Sequence, residues 1–183
     1  VTSIQTLSRY RNFEIIILDN GSKTRATLDL LDGYQRDAQA QIIRHDQPFN
    51  FSELNNIGAR AAHGELLLFL NDDTEVITPD WLERMAGFAQ LPHIGAVGAK
   101  LLYPNGKVQH NGVLNLMDGP VHALLNSRAD DPGYFMRNLL DYNWLAVTGA
   151  CLMIETAKFQ QLGGFDEAFP VAYNDIELCF RLS

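Results

Sequence analysis

The chain has 183 residues, of which 46% are apolar and 20% charged, with a formal net charge of −8. That length and apolar content suit one globular α/β domain with a sizeable buried core. A negative surface repels phosphate polymers, which argues against nucleic acid as the main partner and implies that any phosphate bound here is bridged by a divalent cation.

In chain order, Val1 to Tyr10 reads as the later half of a helix with no start signal ahead of it, so a truncated beginning is expected. Phe13 to Asp19 is a near-continuous β-branched run, the pattern of a strand buried on both faces. Asn20-Gly21 breaks it, and Ser22 or Thr24 caps a helix reaching about Ala38. Gln41 to Arg44 is a short second strand. Ser52 caps the next helix, whose Gly58, Ala59, Ala61 and Ala62 permit close packing before Gly64 stops it. Glu65 to Leu70 is a third buried strand that runs into Asn71-Asp72-Asp73-Thr74. Thr78-Pro79 opens a helix to about Gln90, with proline where its missing N–H is harmless. This alternation predicts a mainly parallel sheet with right-handed crossovers, flanked by helices.

The second half predicts a smaller antiparallel portion. Gly95 to Tyr103 and Lys107 to Leu116 read as strands joined by Pro104-Asn105-Gly106, and residues 118–133 as a polar loop. Leu145 to Ile154 reads as a strand, and Thr156 caps a short helix ending at Gly163-Gly164. Asn174 starts the last helix, with Glu177 completing a capping box, and the chain stops inside that pattern. No apolar run approaches the roughly 20 residues that span a bilayer. The two cysteines, Cys151 and Cys179, lie in apolar segments and read as buried free thiols, in keeping with a reducing cytosol.

Acidic side chains stand at the carboxyl ends of two buried strands, the edge where open α/β sheets bind ligands. Asp19-Asn20-Gly21 is equally compatible with a plain turn. Asp72-Asp73 asks for more: adjacent carboxylates repel each other, and a turn needs only one. Hard oxygen ligands on one short loop suit Mg²⁺ or Mn²⁺ with phosphate oxygens completing the shell. In the last helix, stepping about 100° per residue groups Ile176, Leu178, Cys179, Phe180 and Leu182 into one apolar arc that contains Asp175. Glu177 lies opposite, beside Arg181, its i+4 partner. Glu177 thus has a surface role, whereas an acid facing the core points to a general base. The five histidines (His45, His63, His93, His110, His122) lack zinc-site spacing, and no P-loop, G-x-S-x-G or G-x-G-x-x-G motif is present.

Together FEIIILDNGS, LNNIGARAAHGELLLFLNDDTEV, VTGACLMI, GGFDEAF and NDIELCFRL resemble the family two glycosyltransferases of the GT-A fold. The likeness is strongest to bacterial rhamnosyltransferase-like and O-antigen-type members and runs from about residue 4 to 183. It implies that Asp19 and Asn20 approach the base or ribose of a nucleotide sugar, that Asp72 lies near the ribose and diphosphate, and that Asp73 is the metal ligand. Asn56 and Arg60, on the helix beside Asn55, are implied to approach the donor, and His110 to line its pocket. Asp175 matches the family's catalytic base, while Trp144, Thr148, Gly149 and Ala150 match its acceptor side. The chain departs from the family pattern at Asn174, where glutamate is usual, at Asn71, where the first Asp of D-x-D often stands, and in lacking the first strand and the C-terminal elements.

The expectation is therefore a GT-A-like domain truncated at both ends, with residues 1–94 as the nucleotide half and 95–183 as the acceptor half. Its activity would be a metal-dependent, inverting transfer of a sugar from a UDP- or dTDP-sugar to a saccharide or lipid-linked hydroxyl. The setting would be bacterial surface polysaccharide synthesis, in the cytoplasm at the inner face of the plasma membrane. The alternatives are a nucleotidyltransferase and a catalytically degenerate domain that binds sugar nucleotides or glycans.

Overall fold

The structure, a computed structural model, describes residues 1–183. Helix α1 (Thr2–Leu7) leads to strand β1 (Ile16–Asp19), helix α2 (Arg25–Arg36) and strand β2 (Gln41–Arg44). β1 and β2 are parallel, as a strand–helix–strand unit requires, and their register sets Asp19 beside Arg44. Thr24 caps α2, its hydroxyl accepting from the Thr27 amide. Helix α3 (Phe51–Ala61) is capped by Asn50 instead of Ser52. Asn50 Oδ1 accepts from the Glu53 amide at 3.2 Å, whereas the buried Ser52 hydroxyl donates to the Phe169 carbonyl at 2.8 Å. After strand β3 (Leu66–Leu70), helix α4 (Trp81–Ala89) starts later than Thr78-Pro79 predicts, because the Pro79 carbonyl accepts from the Arg9 amide at 2.8 Å.

The second half contributes short strands: β4 (Val97–Gly98), β5 (Leu101–Leu102), β6 (Val108–His110), β7 (Val113–Leu116), β8 (Gly119–His122) and β9 (Cys151–Glu155). β9 runs antiparallel between β3 and β4, giving the order β3-β9-β4. The two long strands expected over 95–116 are broken into shorter pieces. Pro104-Asn105-Gly106 does turn the β5–β6 hairpin, with Gly106 at φ +76°. Residues 118–133 are not all loop: β8 pairs with β7, Leu116 opposite Gly119, and Pro120 is tolerated on this outer strand. The strand expected from Leu145 begins only at Cys151, since the Cys151 amide folds back onto the Thr148 carbonyl at 3.3 Å and makes residues 148–151 a turn.

Side chains of β9 alternate between two apolar layers, as a pleated strand dictates. Leu152 and Ile154 pack with Phe69, Phe159, Phe165 and Leu178 against helices α5 (Thr156–Gln161) and α6 (Asn174–Arg181). Cys151 and Met153 pack with Leu82, Met85 and Ala89 of α4. Both cysteines are free, and burial pushes the Cys151 thiol up to about 12 and the Cys179 thiol up to about 11, which keeps them unreactive.

The capping box expected at Asn174 and Glu177 does not form. Tyr173, at φ +64°, occupies the cap position, and Asn174 Oδ1 accepts from the next amide, that of Asp175, at 2.8 Å. Glu177 turns to Arg181 and takes two hydrogen bonds from its guanidinium. Phe180, placed in the apolar arc by the helical wheel, is 46% exposed.

Two stability predictions arise here. Leu178 is fully buried in the layer between β9 and α6, so Leu178→Ala should lower unfolding free energy by about 2–5 kcal/mol in urea titration; a loss below about 1 kcal/mol contradicts this packing. The second concerns Asp19, whose carboxylate accepts from the Ser22 amide at 2.9 Å and from Arg44 at 3.0 Å. Burial alone would raise its pKa, but the Ser22 hydroxyl and amide and the Arg44 charge outweigh burial and hold it below the ordinary 3.8. Stability from ionised Asp19 is therefore complete above the unfolded value and is lost as pH falls through the folded one. The difference in urea midpoint between wild type and Asp19→Asn should shrink from about pH 5 to about pH 2; a constant difference contradicts the assignment.

Candidate functional site

The site is organised by the edge where β3 ends and β9 begins. Their register pairs Leu70 with Cys151, and the ladder continues one step further as the Asn71 amide donates to the Ala150 carbonyl at 3.0 Å. The turn carrying Asp72 and Asp73 is thereby anchored beside the Thr148–Ala150 turn. Helix α6 reaches the same place from the other side. Leu178 and Cys179 bury onto β9, and Asp175, three and four residues earlier, continues their stripe past the end of the strand. There its Oδ2 accepts from the Gly149 amide at 2.8 Å, and its Oδ1 from the Ile176 amide at 2.8 Å.

Gly149 stands in a close-packed place: a Cβ there would lie 3.2 Å from Phe51 Cζ, tight enough that the ring would have to give, and in ordinary contact with Asp175 Cβ at 3.5 Å. Asp175 is half-buried, and each of its oxygens retains a lone pair for a further donor. Asp175, Gly149, Ala150 and Asn71 are thus linked by single hydrogen bonds and adjacent peptides, with Asp72 and Asp73 next along the chain.

Asp72 and Asp73 are both exposed, and neither carboxylate makes a hydrogen bond or ion pair with the rest of the chain. The Thr74 hydroxyl, donating to the Asn71 carbonyl at 2.8 Å, shapes the turn that carries them. No group of three metal-ligating side chains is gathered anywhere. These two free carboxylates are the hard-oxygen donors available, and they fit a divalent cation that draws its other ligands from phosphate and water.

At the end of β1, both Asp19 oxygens are engaged by Ser22 and Arg44, so the residue braces its own turn. Asn20 joins the β1 and β2 loops, its amide nitrogen donating to the His45 carbonyl at 2.8 Å and the Gln47 carbonyl at 2.9 Å. Its side-chain carbonyl stays free for a ligand.

Asn56 and Arg60 are not brought to Asp73 and Asp175. The buried Asn56 amide accepts from the Phe165 amide at 2.9 Å and donates to the Phe165 carbonyl at 2.9 Å and to Glu167 at 3.0 Å, clamping α3 to the Gly-Gly-Phe-Asp-Glu turn. Arg60 lines a separate polar cleft of about 480 Å³ with Glu167, Glu177 and Arg181, and Asp175 is not among its walls. Nor does His110 line a pocket: it is 1% exposed and both ring nitrogens bond within the protein. The Trp144 ring, expected on the acceptor side, packs against Gly112, where a Cβ would come within 2.0 Å of the indole, and it meets the Tyr142 ring at a tilt with centroids 5.1 Å apart. The Thr148 hydroxyl accepts from the Ala150 amide at 3.3 Å, closing the turn. What the sequence did not disclose is the Gly149 amide as the partner of Asp175 and His110 as a hub. The glycine pattern Gly112 and Gly149 was the available hint.

The glycosyl transferase family 2 profile matches residues 1–163. The chain is 42% identical over 187 residues to the O-antigen biosynthesis protein RfbC of Myxococcus xanthus, covering 100% of this chain and 14% of that protein. Among solved structures it is similar to the mannosyltransferase PcManGT from Pyrobaculum calidifontis in complex with GDP-Man and Mn²⁺, with TM-score 0.69, 16% identity, and coverage of 99% of this chain and 46% of that one. It is also similar to GalNAc-T7 with UDP, GalNAc and Mn²⁺, with TM-score 0.63, 18% identity, and coverage of 92% and 34%. At such identities the two structures show the shared GT-A fold, and the chain spans less than half the length of each of these three relatives. By the family profile over residues 1–163, this chain belongs to glycosyl transferase family 2.

Proposed function

We propose that the chain holds the sugar donor and the catalytic base of an inverting, metal-dependent hexosyltransferase. The donor is a UDP- or dTDP-sugar, and the acceptor a hydroxyl of a saccharide or lipid-linked glycan in bacterial surface polysaccharide synthesis. The observation that carries this reading is the Asp175 carboxylate held at 2.8 Å by Gly149, one peptide away from the Ala150 carbonyl that anchors the Asp72-Asp73 turn. A base and an acidic metal loop are joined through one short turn, as a single-cleft displacement demands. The likeness to an O-antigen biosynthesis protein supports the polysaccharide setting. No helix is long and apolar enough to cross a membrane, which is compatible with work at the inner face of the plasma membrane.

In this mechanism Asp73 holds a divalent cation, Mg²⁺ or Mn²⁺, with Asp72 nearer the ribose and diphosphate. When bound, that ion supplies charge neutralisation for the departing diphosphate. At the end of β1 in the nucleotide half (residues 1–94), Asn20 faces the base or ribose with its free side-chain carbonyl, on the turn that Asp19 braces from behind. Trp144 and the Thr148-Gly149-Ala150 turn, in the acceptor half (95–183), orient the incoming hydroxyl. Asp175 takes the proton from that hydroxyl as its oxygen bonds to the anomeric carbon, while the bond from that carbon to the diphosphate oxygen breaks on the opposite face. The configuration at the carbon inverts. General-base assistance of this kind is worth roughly 10²–10⁴-fold, and alignment of the two substrates contributes further.

Two predictions test this reading in the natural protein. Asp175→Asn should reduce release of nucleoside diphosphate in the presence of acceptor by at least about 100-fold while donor affinity stays within about twofold. Turnover like wild type removes Asp175 from the mechanism. Asp73→Ala should abolish the gain in nucleotide affinity that Mn²⁺ confers, measured by calorimetry with and without the ion; an undiminished gain defeats the metal assignment.

A further inference from the structure

We propose that His110 is a positioning residue for Asp175: its ring nitrogen fixes the Thr148–Ala150 turn whose Gly149 amide holds the carboxylate. This rests on Asp175 being the base. His110 closes β6, and its Nε2 accepts from the Gly112 amide at 3.2 Å and from the Thr148 amide, 38 residues away, at 3.3 Å. An atom that accepts two N–H groups carries no proton itself. The neutral ring is therefore protonated at Nδ1, which donates to Nδ1 of His122 at 2.8 Å.

Burial, reinforced by the nearby His122, pushes the His110 pKa down to about 3. The imidazolium form, which would aim a third N–H at two backbone N–H groups, is thus excluded across the physiological range. Few other side chains could stand here. Leucine or phenylalanine fills the space but leaves the Thr148 amide without a partner, and lysine only donates.

The consequence for Asp175 follows from peptide geometry. The peptide joining Thr148 to Gly149 is planar, with its carbonyl and its N–H on opposite edges. The carbonyl accepts from the Cys151 amide at 3.3 Å, and the N–H points to Asp175. The orientation of that plane depends on the preceding peptide, which is held by Nε2 of His110 at its amide and by the Cys179 thiol, donating at 3.8 Å, at the Val147 carbonyl. A thiol is a weak donor, so His110 is the stronger of the two restraints. The same Nε2 also holds the amide of Gly112, the residue on which Trp144 rests, so one imidazole sets both the base and an acceptor-side ring.

The test compares His110→Leu, which removes the acceptor, with His110→Gln, whose side-chain oxygen reaches to about where Nε2 lies. In the natural protein His110→Leu should lower kcat by about 100-fold with KM for the donor within about twofold, and His110→Gln should recover at least about 10-fold of that loss. Amide hydrogen exchange should show Gly149 losing protection in the leucine variant and regaining it in the glutamine variant, a readout independent of turnover. Retained protection at Gly149 in His110→Leu overturns the positioning role, and so does lost protection with unchanged kcat. Should the leucine variant not fold, His110→Gln is compared with His110→Asn, one carbon shorter: the proposal requires the glutamine to be the more active, and equal activity overturns it. Failure of the base assignment is recognised separately, by wild-type turnover in Asp175→Asn.

Discussion

The register of β3 against β9 is the constraint from which the rest of the site descends. With Leu70 opposite Cys151, the next residues on each side, Asn71 and Ala150, meet at the strand ends, so an acidic turn and a glycine-bearing turn become neighbours. A slip of one residue would exchange the two faces of β9, carrying Leu152 and Ile154 from the α5–α6 layer into the α4 layer. The fully buried Leu152 and Ile154 oppose such a slip, and a large hydrophobic term thereby fixes the placement of a few polar atoms. Asp175 inherits this precision because it extends the Leu178–Cys179 stripe of α6 beyond the strand end.

Charged and polar groups around the site divide by their engagement. Asp19, Asn56, His110 and Asn174 are buried, and their polar atoms are occupied within the chain. Their role is to hold turns, since a buried polar group left unpaired is destabilising. Asp72 and Asp73 are the reverse, exposed and unpaired on a turn whose shape is held by backbone and Thr74. Carboxylates left free in this way repel each other and are relieved by a cation, in keeping with a surface whose net charge is −8. Asp175 stands between these classes, half-buried and oriented by two amides, yet open to a further donor.

Much of this was legible in the residues themselves. The apolar runs ending at Asp19 and Leu70 read as strands and form them, although the apolar residues of β1 are half-buried and those of β3 alternate between buried and half-buried. The 100° step of a helix separates Asp175 from Glu177 without further information. Local pattern fails where tertiary pairing decides. Asn56 reads as a ligand contact by position in its motif, but its partners lie more than a hundred residues later at Phe165 and Glu167. Residues 119–122 contain Gly and Pro and read as loop, yet an outer strand tolerates both. A lone histidine is by default a packing residue, and only the meeting of Gly112 and Thr148 at one ring nitrogen reveals that His110 joins two segments.

The central claim is that one cleft contains both acids, the metal loop on one wall and the base on the other. A crystal structure of the natural protein with Mn²⁺ and the nucleoside diphosphate tests it most directly, with the ion located by its anomalous signal. The account predicts the Mn²⁺ peak in contact with Asp73, the diphosphate beside it, and a sugar-sized space bounded on its far side by Asp175. A diphosphate bound instead in the cleft between Arg60 and Arg181, or an Mn²⁺ peak away from Asp73, would contradict it.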